Sequence, residues 1–148
     1  MSTRKRIEVL HGVNLDQLGR RDPDVYGTLT LSELETQIGR WAGELECQVS
    51  FWQTNHEGAF CEMLHLARER TDGLILNPGA WTHYSYAIRD ALEIAGVPAV
   101  ELHISEVDSR EGWRRQSVLA DLCVGRVQGK GVEGYREALE ILKAELAE

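Results

Sequence analysis

The chain has few cysteines, no excess of positive charge and no long apolar run, and each absence excludes a class of protein. Its cysteines, Cys47, Cys61 and Cys123, lie far apart and form neither a CxxC pair nor a zinc-finger spacing. Three cysteines cannot pair completely, so we expect buried, reduced thiols. The net charge of −8 argues against a nucleic-acid partner, because phosphate binding needs clustered lysine and arginine.

No apolar segment approaches the roughly 20 residues needed to span a bilayer. The basic amino terminus leads directly into a short apolar segment and lacks the pattern of a secretory signal. We therefore expect no membrane partner and a cytoplasmic location. The length of 148 residues, with 43% hydrophobic and 27% charged residues, is typical of one globular domain with its own core.

Three apolar segments each end at a polar residue that can do chemistry. Residues 7–13 precede Asn14, residues 73–76 precede Asn77, and residues 97–102 precede His103. Because segments with helical periodicity separate them, they are interpreted as parallel strands of one sheet. Ligands of such sheets bind just beyond the carboxyl ends of the strands. The sequence therefore predicts an active site at that edge.

The complete pattern predicts five strands that alternate with helices. Strands are expected at 6–13, 47–53, 73–76, 97–102 and 121–127, and helices from Thr30 or Ser32 to about 45 and at 57–70, 84–95 and 132–147. Residues 16–30 show no hydrophobic periodicity and are expected to form a loop. Residues 106–116 are expected to form a polar loop or a short helix. Asn55 is expected to cap the second helix. The fold class is α/β: a single-domain, flavodoxin-like three-layer sandwich over residues 1–148, with a five-stranded parallel sheet in the order 2-1-3-4-5.

The loop after the first strand is unusually long and charged, and its residues 18–27 have the character of a mobile lid. It carries Arg21 and Tyr26 close together. Tyrosine is a weak base at neutral pH unless a cation stabilises its phenolate, so this pair is an adequate general base. The alternative is a surface loop in which Arg21 pairs with Asp22 or Asp24.

His103 follows Glu101 by two positions, so both side chains lie on the same face of a strand. A carboxylate beside an imidazole fixes its tautomer and makes it a better proton donor. The alternative is a core histidine that its neighbour satisfies. Backbone N–H groups and the hydroxyl at Ile104-Ser105 can hold a carboxylate.

Three further segments carry candidate ligand-binding groups. Arg110 and Arg114 are four apart and either share one face of a short helix or form a solvated basic turn. The segment 77–85 combines an amide, a rigid turn, His83 and a helix start, which suits an anionic or hydroxylated ligand. His56-Glu57 and His65 raise a metal alternative, but their spacing fits no metal-binding pattern, and we expect no metal.

A set of short motifs, in one order along nearly the whole chain, resembles the type II 3-dehydroquinate dehydratases. The matching segments are Asn14-Leu15, Leu18-Gly19-Arg20-Arg21-Asp22-Pro23, Tyr26-Gly27, Asn55-His56-Glu57-Gly58, Asn77-Pro78-Gly79-Ala80, Thr82-His83, Arg89-Asp90-Ala91, Glu101-Leu102-His103-Ile104-Ser105, Arg110-Glu111, Arg114-Arg115, Gly129, Gly131 and Gly134-Tyr135. The chain departs from the family pattern at His11 and Val13, Trp81, Asp108 and Gly112-Trp113.

The resemblance implies a cofactor-free trans-dehydration of 3-dehydroquinate to 3-dehydroshikimate through an enolate, in the shikimate pathway. It implies that Tyr26, assisted by Arg21, removes the proton beside the ketone, and that Asn14 stabilises the enolate through a water molecule. It further implies that His103, oriented by Glu101, protonates the departing hydroxyl. The lack of a lysine in these motifs fits a reaction without an imine.

The resemblance also implies the substrate-binding set and the assembly. Ile104 and Ser105 are expected to bind the carboxylate, and Asn77, His83 and Arg114 the ring hydroxyls. Arg110 is expected to organise the lid. The family forms dodecamers built from four trimers, in which the residue equivalent to Asp90 reaches a neighbouring subunit's site, so a homododecamer is expected here. Two alternatives stay open: the same chemistry in quinate breakdown, and a flavodoxin-like binding or signalling domain.

Overall fold

The computed structural model describes residues 4–147 and contains one parallel sheet of five strands. The strands are β1 (Lys5–His11), β2 (Cys47–Gln53), β3 (Gly73–Asn77), β4 (Ala99–His103) and β5 (Gly125–Gln128). Their order is β2-β1-β3-β4-β5 and every pair is parallel, which confirms the predicted topology. The predicted domain spans residues 1–148, of which residues 1–3 and 148 lie outside the described range. Residues 1–3 belong to the basic amino terminus.

The helices are α1 (Pro23–Tyr26), α2 (Leu31–Glu44), α3 (Glu57–Arg70), α4 (Tyr86–Ala95) and α5 (Glu133–Glu145). Thr30 starts α2 through a capping box: its hydroxyl accepts from the N–H of Glu33, whose carboxylate accepts from the N–H of Thr30. The hydroxyl of Ser85 caps α4 by accepting from the N–H of Ile88. None of the helices in residues 4–147 is long and apolar enough to cross a membrane.

The helices cover both faces of the sheet and so form three layers. Ile7 and Val9 of β1 face a core that α2 and α5 complete, whereas Leu10 faces the core of α3 and α4. β3 and β4 are buried along their whole length. Since both faces of the central strands are covered, the carboxyl ends of the strands are where the sheet presents polar side chains to a ligand.

Several predicted boundaries were wrong where the chain makes short turns. β5 begins at Gly125 and not at 121, because Ala120–Leu122 forms a 3-10 turn whose start is held by the Ser117 hydroxyl, which accepts from the N–H groups of Leu119 and Ala120. β4 begins only at Ala99, after Pro98, which has no N–H to donate. A 3-10 turn at Gly79–His83 delays the start of α4 to Tyr86.

The segment 16–30, which was predicted to be a loop because it lacks hydrophobic periodicity, contains two helical turns. Leu15–Gln17 is a 3-10 turn, and α1 occupies four residues of the lid. Asp22 caps α1 by accepting from the N–H of Asp24, and Pro23 occupies its first position. A four-residue helix spans about one turn, so it shows no repeating apolar face.

Candidate active site

A cavity of about 100 Å³ lies where the carboxyl ends of β1, β3 and β4 meet residues 18–27, the segment predicted to be a lid. Of the predicted site residues, ten line this cavity: Asn14, Arg21, Tyr26, Asn77, His83, His103, Ile104, Ser105, Arg110 and Arg114. Glu101 lies directly behind it, fully buried. Asp90 lies exposed on α4 and is not part of the lining. Its expected contact with a neighbouring subunit stays a prediction.

Two arginines converge on the phenol oxygen of Tyr26. Nη2 of Arg21 donates to it at 2.7 Å, and Nη1 of Arg110 donates to it at 2.8 Å. The guanidinium of Arg21 also lies over the tyrosine ring, 3.8 Å from its centroid. Two charged donors therefore converge on one oxygen, so the contact between Arg21 and Tyr26 that the sequence predicted is present. Within residues 4–147, Arg21 forms no ion pair with Asp22 or Asp24, the alternative that the sequence left open, and Asp22 instead caps α1.

The contact of Arg110 with Tyr26 is a feature that the sequence did not reveal. Arg110 was predicted to organise the lid, and 84 positions separate it from the tyrosine. It lies after the 3-10 turn Val107–Ser109, and Arg114 ends the next turn, Gly112–Arg114. Of the two alternatives left open for these arginines, the single short helix does not form, and both side chains reach the cavity from separate turns.

His103 and Glu101 form a buried pair at the end of β4. Nε2 of His103 donates to Oε2 of Glu101 at 2.6 Å. This contact leaves Nδ1 as the ring nitrogen that can carry a proton toward the cavity. Glu101 therefore provides the hydrogen bond of a buried His103, and His103 also lines the cavity. The two interpretations from the sequence, a core histidine and a histidine at the candidate site, are compatible.

Hydroxyl groups from two other segments complete the environment of Glu101. Thr82 donates to its carboxylate at 2.5 Å and Ser117 at 2.7 Å. Burial alone raises the pKa of a carboxyl group, but the hydrogen bond and charge of His103, with those two hydroxyls, outweigh it and lower the pKa of Glu101 to about 2. Glu101 is thus an ionised orienting group. Ser117 carried no sequence signal for this role.

His83 is held as a neutral ring with a defined tautomer. Its Nδ1 donates to the carbonyl of Gln116 at 2.7 Å, which leaves Nε2 as an acceptor. Burial, together with the charges of His103 and Arg114, lowers the pKa of His83. A neutral imidazole with a bare Nε2 suits a hydroxyl donor, which agrees with the hydroxyl-binding role expected from the resemblance.

Trp113 joins His83 to Arg114. Its ring meets His83 edge-on with the centroids 5.2 Å apart, and the guanidinium of Arg114 lies 4.2 Å from the centroid of the indole. Glu111 accepts a hydrogen bond from Arg114. Although 54% exposed, Trp113 therefore fixes two predicted hydroxyl-binding side chains at the cavity rim.

Asn14 takes a left-handed conformation, with φ of 69°, at the end of β1. Its N–H donates to Oδ1 of Asn55 at 2.8 Å, and Asn55 in turn donates to Asp16 at 3.0 Å. The predicted helix cap at Asn55 is therefore wrong: His56 occupies the cap position of α3, and the amide of Asn55 holds the turn of Asn14. Asparagine tolerates the left-handed region better than most residues.

Asn77 is fixed by a buried tyrosine. Its Nδ2 donates to the hydroxyl oxygen of Tyr135 at 3.0 Å, and its Oδ1 accepts from the N–H of Gly79. Burial raises the pKa of Tyr135 and so keeps this hydroxyl neutral. The amide of Asn77 is therefore held in one orientation at the cavity floor.

The turn expected to bind a carboxylate is tied to the loop before α5. The carbonyl of Ile104 accepts from the N–H of Gly131, and that of Ser105 accepts from Gly129, both at 3.1 Å. Both glycines have positive φ, which suits this close approach of two backbones. The hydroxyl of Ser105 also accepts a 3.4 Å hydrogen bond from Arg110.

The remaining cysteines and histidines do not assemble at the site. Within residues 4–147, no group of three or more histidine, cysteine or acidic side chains is arranged to hold a metal ion. All three cysteines are free; Cys47 is buried, whereas Cys61 and Cys123 are only partly buried against the core, which is less burial than predicted. Burial raises the pKa of the Cys123 thiol to about 12.

Comparison with known proteins agrees with this geometry. The family model described as dehydroquinase class II matches residues 5–143. A 3-dehydroquinate dehydratase of Bacillus pumilus is 49% identical over 93% of each chain, and one of Thermotoga petrophila is 48% identical over 97% of this chain and 98% of the relative. The crystal structure of a type II dehydroquinase from Propionibacterium acnes aligns with a TM-score of 0.91 at 39% identity, covering 97% of this chain and 99% of that one. The chain therefore belongs to the class II dehydroquinase family.

Proposed function

We propose that this protein dehydrates 3-dehydroquinate to 3-dehydroshikimate and acts in the shikimate pathway. The observation that supports the proposal is that Tyr26, which accepts from two guanidinium groups, and His103, which contacts an ionised carboxylate, line one cavity. Abstraction of a proton beside a ketone requires a base, a stabiliser for the enolate and an acid for the leaving group. The cavity offers one group for each.

In the first step the phenolate of Tyr26 takes the proton from the carbon beside the ketone. The electron pair of that C–H bond forms a double bond to the carbonyl carbon, and the π electrons of the ketone move onto its oxygen, which gives the enolate. Asn14 stabilises the enolate charge through a water molecule. Arg21 and Arg110 both donate to the phenol oxygen, and an arginine at about 4 Å attracts a neighbouring anion by roughly 4 kcal/mol at an effective dielectric near 20.

In the second step the enolate collapses and the C–O bond of the leaving hydroxyl breaks. His103 gives its Nδ1 proton to that oxygen, which departs as water, and the electron pair of the enolate becomes the new C–C double bond. Glu101 compensates the charge on the imidazolium before transfer. The proton on Tyr26 then returns to His103 by way of solvent, which resets the site without a cofactor.

The substrate is held at two ends of the cavity. Ile104 and Ser105 bind its carboxylate through backbone N–H groups and the hydroxyl. Asn77, His83 and Arg114 bind the ring hydroxyls. The tight anchoring of Asn77 by Tyr135 and of His83 by Gln116 supports this role, because preorganised partners lose little entropy on binding.

The lid, the assembly and the location complete the proposal. Residues 18–27 close over the bound substrate and bring Tyr26 and Arg21 to the sheet. The protein assembles in the cytoplasm as a homododecamer, a tetramer of trimers, in which Asp90 of one chain reaches the site of another. The exposed position of Asp90 on α4 supports such a contact.

The test mixes purified protein with 3-dehydroquinate and follows the ultraviolet absorbance of the conjugated enone product. We expect a rise with the wild type and none with Tyr26→Phe, which keeps the ring and removes the base. Folded wild-type protein that gives no rise would refute the activity, and a fully active Tyr26→Phe would refute the assigned base. Treatment with borohydride and substrate should leave the activity intact, because no imine forms.

A further inference from the structure

Arg126 lies beside the Glu101–His103 pair without reaching the cavity. It is the register partner of Glu101 in the β4–β5 pair, and its Nε lies 3.5 Å from Oε2 of Glu101. Its side chain is only 21% exposed, and it is not among the described residues that line the cavity. Its Nε and Nη2 are shielded from solvent and have no hydrogen-bond partner within residues 4–147. Buried N–H groups of this kind are rare and require an explanation.

The hydrogen bonds of Glu101 do not depend on Arg126. Thr82, Ser117 and His103 already donate to its two oxygens. The guanidinium therefore contributes charge and packing. Because a cation at this range attracts the carboxylate toward β5, it restrains the position of Oε2, the oxygen that His103 contacts.

The other end of Arg126 contacts the turn that carries Arg110. Its Nη1 lies 3.6 Å from Oδ1 of Asp108. Gln128 fixes the same aspartate twice: its Oε1 accepts from the N–H of Asp108 at 3.2 Å, and its Nε2 donates to Oδ2 at 2.8 Å. Asp108 belongs to the turn directly before Arg110, which donates to Tyr26. Arg126 therefore joins the carboxylate behind the acid to the turn behind the base.

We infer that Arg126 is a positioning residue for the dehydration reaction, an inference that rests on the proposed function. It holds the Glu101–His103 pair and the 107–110 turn at a fixed separation, so that acid and base face the same substrate. Because Arg126 does not touch the substrate, its loss affects the positioning of reacting groups and leaves ground-state binding nearly unchanged. The expected signature is a lower kcat with little change in KM.

The experiment compares steady-state kinetics on 3-dehydroquinate for the wild type, Arg126→Met and Arg126→Lys. Methionine keeps the apolar stem and removes the charge. We expect kcat to fall about 10- to 100-fold, as for other small misplacements of reacting groups, and KM to stay within about threefold. Lysine should recover part of the loss. The control is Arg136→Met, since Arg136 is an exposed arginine of α5 in surface ion pairs with Glu44 and Glu140, and it should keep wild-type kcat.

Asp108→Asn tests the second contact. If Arg126 acts as a bridge, Asp108→Asn lowers kcat in the wild type and adds little to Arg126→Met. A folded wild type without activity would overturn the proposed function and this inference together. An active wild type whose Arg126→Met variant keeps its kcat, or loses affinity instead, would overturn the inference alone. If circular dichroism shows that Arg126→Met does not fold, unchanged kcat in both Arg126→Lys and Asp108→Asn would overturn it equally.

Discussion

Glu101 should make folding stability depend on pH in the acid range, and Glu101→Gln should remove that dependence. The carboxylate is fully buried and accepts hydrogen bonds from Thr82, Ser117 and His103. Its pKa is lowered from 4.5 to about 2. At about 1.4 kcal/mol per pKa unit, this corresponds to roughly 3 kcal/mol of stability.

The sign of the effect follows from the lowered pKa. When the pH is above the unfolded-state pKa of 4.5, the ionised form is favoured in the folded protein and the contribution is complete. As the pH falls through 4.5 toward 2, the unfolded chain takes up a proton that the folded chain refuses. The contribution is therefore lost progressively over that interval.

Urea unfolding between pH 7 and pH 2.5, at one protein concentration, measures the effect. The difference in the free energy of unfolding between wild type and Glu101→Gln should shrink by about 2 to 3 kcal/mol as the pH falls. Glu145→Gln, at the exposed end of α5, is the control and should run parallel to the wild type. A Glu101→Gln curve that also runs parallel to the wild type would show that the carboxylate does not ionise as argued.

Three further predictions concern the cavity. Arg21→Met removes one of two cations on the phenolate and should lower kcat about 100-fold, with circular dichroism unchanged; a kcat within twofold of wild type contradicts the role of Arg21. Asn55→Ala removes the acceptor that holds the left-handed Asn14 and should cost about 1–3 kcal/mol of stability, measured by urea unfolding, along with a lower kcat. Trp113→Ala releases Arg114 and should raise KM about tenfold, whereas Trp113→Phe should restore most of the affinity, and equal KM values for both variants would contradict this.

The sequence pattern correctly predicted the features that depend on residues close together in the sequence. The strand order followed from the alternation of five strands with helices. The place of the candidate site followed from apolar segments that end at Asn14, Asn77 and His103, because parallel strands bring their carboxyl ends to one edge. The spacing of Glu101 and His103 predicted their contact, since residues two apart share a face of a strand. The errors at 121–127 and at Asn55 arose where side chains hold short turns, which leave no period in the sequence.

Only the tertiary structure decided which groups meet across the chain. Arg110 reaches Tyr26 over 84 positions, Ser117 reaches Glu101, and Arg126 lies between Glu101 and Asp108. No local pattern encodes such contacts, because each joins segments that are separate in the sequence and meet only in the folded chain. The sequence by itself therefore determined the fold and the candidate residues for the acid and the base. The packed structure determined how each is charged, oriented and held.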